Sequence, residues 1–310
     1  MKNITLSNGL TISQVALGAI TFGTTTSKQE SFYTLDTFLS NGGNFIDTSN
    51  NYAHWLGTGD ESETTIGEYF KERGNRDKFI IATKVGFDRH GKGQGLKKEQ
   101  IEYWIDQSLK KLNTDYIDLY YAHTDDENTP LEETMEAFDI LIKKGKVRFL
   151  GGSNYDTWRF SEANNIALQN NFTPFSVMQQ KYSYLHYRHE IKPDFIFNEP
   201  VNRERLRYLS SKNIPLVAYS CLCNGGYENL DKLPKDVISD KRYELVKELA
   251  KQKNVSNNAI IIAYLTNIYR CKGFPTVIPL FSAKTKHLQQ NLKGLEITLT
   301  DKELELMNNT

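Results

Sequence analysis

Short, apolar, β-rich runs alternate with longer helical patterns from one end of this 310-residue chain to the other, and that alternation constrains the fold most. The runs fall at 15–22, 44–47, 79–84, 116–121, 147–152, 175–179, 214–219 and 276–279. Helix-like stretches occupy 28–40, 62–71, 97–112, 131–143, 157–168, 203–212, 242–253 and 286–292. In 97–112, Ile101, Trp104, Ile105, Ser108, Leu109 and Leu112 recur at three- and four-residue steps, which places them on one helix face. Nearly continuous apolar strands belong in a parallel sheet covered on both faces, and eight βα units in one unbroken chain fit such a sheet closed on itself. The reading is an α/β fold, a (β/α)8 TIM barrel. The segment ITLSNGLTIS, with Asn8-Gly9 suited to a type I′ turn, is expected to form an N-terminal β-hairpin that closes the barrel floor. A last helix at 300–307 lies outside the eightfold count. No linker or low-complexity tract breaks the pattern, so 1–310 reads as a single domain, as barrels of ~250 residues are.

Composition removes whole classes of function. Lys plus Arg equal Asp plus Glu at 38 each, so no long-range field draws in nucleic acid or an anionic membrane. With 17 Tyr, 16 Phe and 39% hydrophobic residues, the chain is too apolar for disorder. Three Cys make no disulfide framework, and Cys221 and Cys223, one residue apart, match neither a zinc knuckle nor a redox pair. A reducing cytoplasm is the expected setting. The longest apolar run, 259–265, falls far short of the ~20 residues of a membrane span. The opening MKNITLSNGL lacks the apolar core of a signal peptide, so the Asn-x-Ser/Thr triplets at Asn3, Asn171 and Asn254 are expected to be chance matches. A neutral, mixed surface carries no signal of oligomeric state.

Active sites of such barrels sit at the C-terminal strand ends. There the run 44–47 ends at Asp47 with Tyr52 in the next loop, 79–84 ends at Lys84, and 116–121 runs out at His123. An acid, a phenol, an amine and an imidazole thus emerge from neighbouring strands. Singly each has a plain structural explanation: a turn cap, a half-buried ring, a rim charge, a satisfied hydrogen-bonding residue. No His-x-His pair or carboxylate-rich ligand set accompanies Asp47 and His123, so no metal site is expected. The stretch GFDRHGKG at 86–93 approaches a phosphate-binding P-loop, but Gly93 stands where the magnesium-binding hydroxyl belongs. Gly91, Gly93 and Gly95 suit it instead to a bending loop over the barrel mouth.

The segments that carry these residues resemble the aldo-keto reductase superfamily over nearly the whole chain. They are LGAITFG, GGNFIDTSNNY, GDESETTIG, IIATKVG, DYIDLYYAH, GKVRFLGGSN, QQKYS and VAYSCLCNGG. The resemblance implies a catalytic tetrad, with Tyr52 as general acid, Lys84 and Asp47 as its electrostatic partners, and His123 as the orienting donor. It implies a nicotinamide cofactor held by Ser153, Asn154 and Gln179 at the carboxamide, by Tyr219 against the ring, and by neighbouring Ser220 and Leu222. VIPLFSAKTKHLQQNL resembles the family's phosphate loop, which places Ser282 and Lys284 at a ribose 2′-phosphate and Gln290 and Asn291 near the adenine. NADPH is therefore expected before NADH, with Lys284 a point charge where the family often has the Arg fork. No G-x-G-x-x-G follows a strand, so a Rossmann site is not supported.

The chemistry agrees with that implication. Hydride addition to a carbonyl leaves negative charge on oxygen, so a proton must arrive from a group aimed at that oxygen. A phenol with a pKa near ~10 is a weak acid at neutral pH, but an adjacent ammonium favours the phenolate, and a carboxylate keeps the ammonium charged. A neutral imidazole at His123 fixes which face of the carbonyl is offered. Phe22, His54, Trp55 and Phe87, with Tyr184 and Tyr187, are candidate aromatic walls for aromatic aldehydes or keto sugars. The chain ends soon after its last helix, so a long pocket-shaping C-terminal loop is expected to be missing and the pocket wider. The expected function is NADPH-dependent reduction of a small-molecule carbonyl. The competing readings are a nucleotide-binding regulatory barrel with little turnover, and a lyase or isomerase that uses a bound nucleotide transiently.

Overall fold

Strand β1 (Asn3–Thr5) and strand β2 (Thr11–Ser13) pair antiparallel, and Gly9, at φ 88°, supplies the left-handed turn residue between them. Ser13 anchors this hairpin. Its backbone N–H donates to Asn44 Oδ1 (2.6 Å), while its hydroxyl oxygen accepts from the N–H groups of Asn44 and Phe45 (3.2 Å each). Those residues open the next-but-one strand, so the hairpin sits at the N-terminal strand ends, the floor, as expected. The computed structural model describes the whole chain except residues 7–8, 88–94, 189–190, 192–198 and 282–284.

Eight parallel strands close into the barrel: β3 (Ala16–Gly18), β4 (Phe45–Asp47), β5 (Ile80–Val85), β6 (Ile117–Ala122), β7 (Val147–Ser153), β8 (Val177–Lys181), β9 (Leu216–Tyr219) and β10 (Val277–Phe281). Register decides what faces the interior. Asp47 pairs with Ala82, and Lys84 lies two residues further along β5 on the same face and pairs with Tyr121. His123 follows two residues after Tyr121, and its N–H extends the ladder to Val85 O at 2.7 Å. The acid, the amine and the imidazole are therefore brought to one face by strand pairing alone.

Helices α1 (Lys28–Ser40), α2 (Glu61–Arg73), α3 (Lys98–Leu112), α4 (Leu131–Lys143), α5 (Thr157–Gln169), α6 (Arg203–Lys212), α7 (Lys241–Lys253), α8 (Asn257–Asn267), α9 (Thr285–Leu292) and α10 (Asp301–Asn309) fill the connections. Local chemistry marks their ends. Side chains of Ser27, Asn202, Asp240, Ser256 and Thr300 cap N-termini, and α2 stops at left-handed Gly74 (φ 60°). Sequence periodicity finds nine of these helices and passes over α8. That helix is buried continuously from Ala259 to Leu265, so it has no polar face and no 3.6-residue signature. Several strand boundaries also differ, most at β3, β8, β9 and β10. The run 15–22 shortens to β3 because Phe22 N–H turns back to Ala19 O (3.0 Å), and β8 begins two residues after the expected 175. Phe175 is apolar because it packs with Phe138, Tyr155 and Phe160, ring centroids 5.6–5.9 Å away, and not because it is in the sheet.

Backbone packing gathers the chain into two compact units, one of residues 2–178 and one of 179–310 with Met1. In the first, Gly67 lets α2 lie directly against α3, where a Cβ would overlap the Lys111 carbonyl and meet the Leu112 backbone (2.8 Å). In the second, Tyr184 and Tyr264 meet at 4.8 Å beside the buried α8. Among the described residues no helix is long and apolar enough to cross a membrane. All three cysteines are free thiols, and burial pushes Cys223 up to about 11. Because backbone cannot yield as a side-chain tip can, Gly67→Ala is expected to destabilise the protein by ~1–3 kcal/mol, read as a lowered denaturation midpoint. An unchanged midpoint would show that α2 can lift from α3 at no cost.

Candidate active site

Asp47 closes β4, Lys84 lies one residue before the end of β5, and neither is solvent-exposed (0% each). A buried ammonium needs all three of its protons satisfied. Lys84 Nζ donates to Asp47 Oδ1, to the Thr48 carbonyl and to the Tyr52 hydroxyl oxygen, each at 2.6 Å. The Tyr52 hydroxyl in turn donates to Asp47 Oδ1 at 2.6 Å. Tyr52 is half-buried, the one member of this cluster that is not fully buried. Burial pushes the Lys84 ammonium below its ordinary 10.5, and the carboxylates of Asp47 and Glu63 oppose that push.

Glu63 is a participant that motif reading passes over. It is buried on α2, accepts from the Thr83 hydroxyl at 2.6 Å and pairs with Lys111 Nζ at 2.7 Å. Thr83 is the neighbour of Lys84 in β5. The signal was present: Glu63 precedes Ile66, Gly67 and Phe70 by three, four and seven residues, which places a carboxylate on the buried face of the helix.

His123 lies edge-on to Tyr52 (ring centroids 6.1 Å) and to Phe87 (4.5 Å). Its Nδ1 is 3.2 Å from the Ser49 hydroxyl oxygen. Burial first, and the nearby Lys84 charge second, hold its pKa well below 6.5, so the ring is neutral at physiological pH. The Asn154 amide donates to the His123 carbonyl (2.8 Å) and to the Ser153 hydroxyl oxygen (3.0 Å), which ties the end of β7 to the end of β6. Ala53, Asn154 and Ser220 take left-handed backbone at φ 57°, 57° and 53°. Each follows directly on a candidate residue, Tyr52, Ser153 or Tyr219. Asn adopts this region readily, whereas Ala and Ser do so at a cost of ~1–2 kcal/mol.

The other candidates divide by environment. Ser153 is buried in the first unit; Gln179, Leu222 and Asn291 are buried in the second, where Gln290 and Ser220 are exposed. Tyr219 and Ser220 line a cavity of about 180 Å³ together with Tyr187 and Asn224. Phe22 is buried in the turn after β3, His54 is half-buried with its ring 5.3 Å from that of Trp55, and Trp55 is 63% exposed. Tyr184 packs against Tyr264, donates its hydroxyl proton to the Met307 carbonyl (3.0 Å) and, with Tyr187, lines a cavity of about 1100 Å³. Ser282 and Lys284, and the 88–94 part of the glycine-rich stretch, lie outside the described residues.

The ends of neighbouring barrel strands thus hold a buried amine and acid in hydrogen-bond contact with a half-buried phenol. The family model described as aldo/keto reductase family matches residues 14–310, and the chain belongs to that family. It is 30% identical to norsolorinic acid reductase A of Aspergillus parasiticus over 96% of this chain and 77% of that protein. It is 29% identical to the NADP(+) aryl-alcohol dehydrogenase of Phanerodontia chrysosporium, over 97% of this chain and 83% of that one. Among solved structures, a thermostable aldo-keto reductase in complex with the inhibitor epalrestat superposes with a TM-score of 0.76 at 25% identity, covering 100% of this chain and 99% of that one. The chain is thus an oxidoreductase, and carbonyl reduction is the chemistry its family supports.

The directions above set a pH profile. Reduction consumes a proton, and Lys84 loses its own below 10.5, so the rate should fall as pH rises through the alkaline range under that value. His123, already neutral, should add no step near 6.5. An inflection there that disappears in His123→Gln would show the imidazole to be charged.

Proposed function

We propose that this protein reduces aromatic aldehydes and ketones to alcohols with NADPH, and that Tyr52 delivers the proton. The observation that carries this reading is the hydrogen-bonded set Asp47, Lys84 and Tyr52, all 2.6 Å apart at their polar atoms, with Tyr52 its half-buried member. As the carbonyl oxygen becomes an alkoxide, Tyr52 gives up its proton, and the ammonium of Lys84 stabilises the phenolate left behind. Asp47 keeps that ammonium charged inside the protein. The neutral His123 contacts the same substrate oxygen and orients it.

The reduced nicotinamide, when bound, supplies the hydride. Buried polar side chains at Ser153, Gln179 and Asn291 fit the carboxamide and adenine ends of such a cofactor, and the ring of Tyr219 beside its cavity fits a stacking face. Ser220, Leu222 and Gln290 are assigned to the same ligand, and Ser282 and Lys284 to its 2′-phosphate. The aromatic substrate class rests on the relatives named for aryl alcohols and norsolorinic acid, and on Trp55, His54 and Phe87 around the Tyr52 loop. Phe22 is included as a wall of the same pocket. We assign the activity to 1–310 acting as one domain, in the cytoplasm, where free thiols such as Cys221 and Cys223 persist.

Tyr52→Phe is expected to bind NADPH normally and to lose turnover of an aromatic aldehyde on the order of a hundredfold or more, the scale of general acid catalysis. Retained turnover would remove Tyr52 from the proton path. Lys284→Ala is expected to weaken NADPH by roughly tenfold to a hundredfold, as for a lost charged hydrogen bond, while NADH changes little. Equal weakening of both nucleotides would end the 2′-phosphate assignment.

A further inference from the structure

Ser49 lies between two hydrogen-bonding partners with a single proton to give. It is fully buried, and its hydroxyl donates to Asn51 Oδ1 at 2.7 Å. The same oxygen is 3.2 Å from His123 Nδ1. With its proton committed to Asn51, Ser49 can only accept from His123, so Nδ1 carries the ring proton and Nε2 presents a lone pair. An Nε2 lone pair accepts from an alcohol O–H. A carbonyl oxygen requires the opposite, an Nε2–H donor.

One side chain can exchange the two states. A half-turn of the Asn51 amide puts Nδ2 where Oδ1 was, Asn51 then donates to Ser49, and Ser49 turns its own hydroxyl proton toward Nδ1 without losing it. The proton formerly on Nδ1 is given up to solvent and Nε2 takes one from solvent, so the ring stays neutral with its single proton on Nε2. Asn51 is 6% exposed, and among the described residues nothing holds its Nδ2, so the turn breaks no bond except the one it replaces. Because the ring is neutral, it holds one proton for two nitrogens, and its partner at Nδ1 decides between them.

We propose that Ser49 and Asn51 are positioning residues that set which ring nitrogen of His123 carries the proton, the Asn51 amide selecting between an alcohol-binding and a carbonyl-binding imidazole. The functional side of this inference rests on His123 contacting the reacting oxygen, as assigned above; the relay itself does not.

The test separates the two. In protein with isotope-labelled histidine at neutral pH, the ring signal absent from His123→Gln identifies His123, and its proton–nitrogen correlations are expected to show Nδ1 protonated. Ser49→Ala removes the acceptor for that proton, and Asn51→Ala frees the Ser49 proton for Nδ1; both should move the ring proton to Nε2. With benzyl alcohol and benzaldehyde as probes, KM for the alcohol should rise relative to KM for the aldehyde on the order of tenfold in both variants, the scale of one hydrogen bond. A His123 signal identical in wild type and both variants overturns the relay. A shifted signal with an unmoved KM ratio upholds the relay and overturns instead the placement of His123 at the substrate oxygen.

Discussion

A lysine side chain with no solvent exposure is tolerable only if every proton on its ammonium is bonded and its charge is matched, and the rest of this site follows from meeting that demand at Lys84. Asp47 supplies the charge, Thr48 a carbonyl and Tyr52 a hydroxyl. The phenol is therefore held by the need of the ammonium, and the same contact that anchors it favours the anion it becomes when it loses a proton. Structure and proposed chemistry share one interaction. Removing Asp47 would harm folding as well as turnover, which makes it a poor probe of mechanism; Tyr52, half-buried at the edge of the cluster, is the cleaner one.

Much of this is legible in the amino-acid order because it depends on local period and strand register. Helices α4 and α6 fall on the expected boundaries, and Asp47, Lys84 and His123 converge because parallel pairing aligns the ends of β4, β5 and β6. What escapes sequence reading depends on three-dimensional surroundings. Helix α8 is invisible to an amphipathic criterion because all its sides are buried, and Phe175 reads as strand although its partners are other rings. Ser49 is unremarked in sequence because a serine acquires meaning here only through a histidine seventy-four positions away.

The neutrality of His123 has the same origin as the constraint on Lys84. Both side chains are buried, and the Lys84 charge discourages a second one nearby. One cation is hydrogen-bonded to Tyr52 and Asp47 and lies near enough to His123 to oppose its charging. The imidazole is left to act through the direction of its hydrogen bonds, which the protein can change without ionising anything. Left-handed backbone at Ala53 and Asn154, on either side of this arrangement, fixes the loop carrying the phenol and the turn that bonds the histidine carbonyl.

The outer layer of helices is also part of the electrostatics. Glu63 stands one turn before Gly67 on α2, and Gly67 is the point at which that helix touches the backbone of its neighbour. The depth to which α2 settles thus fixes how far a second carboxylate reaches behind Lys84. Substitutions at the crossing of α2 and α3, which on their face concern packing alone, therefore reach the proton affinity of Lys84 through Glu63.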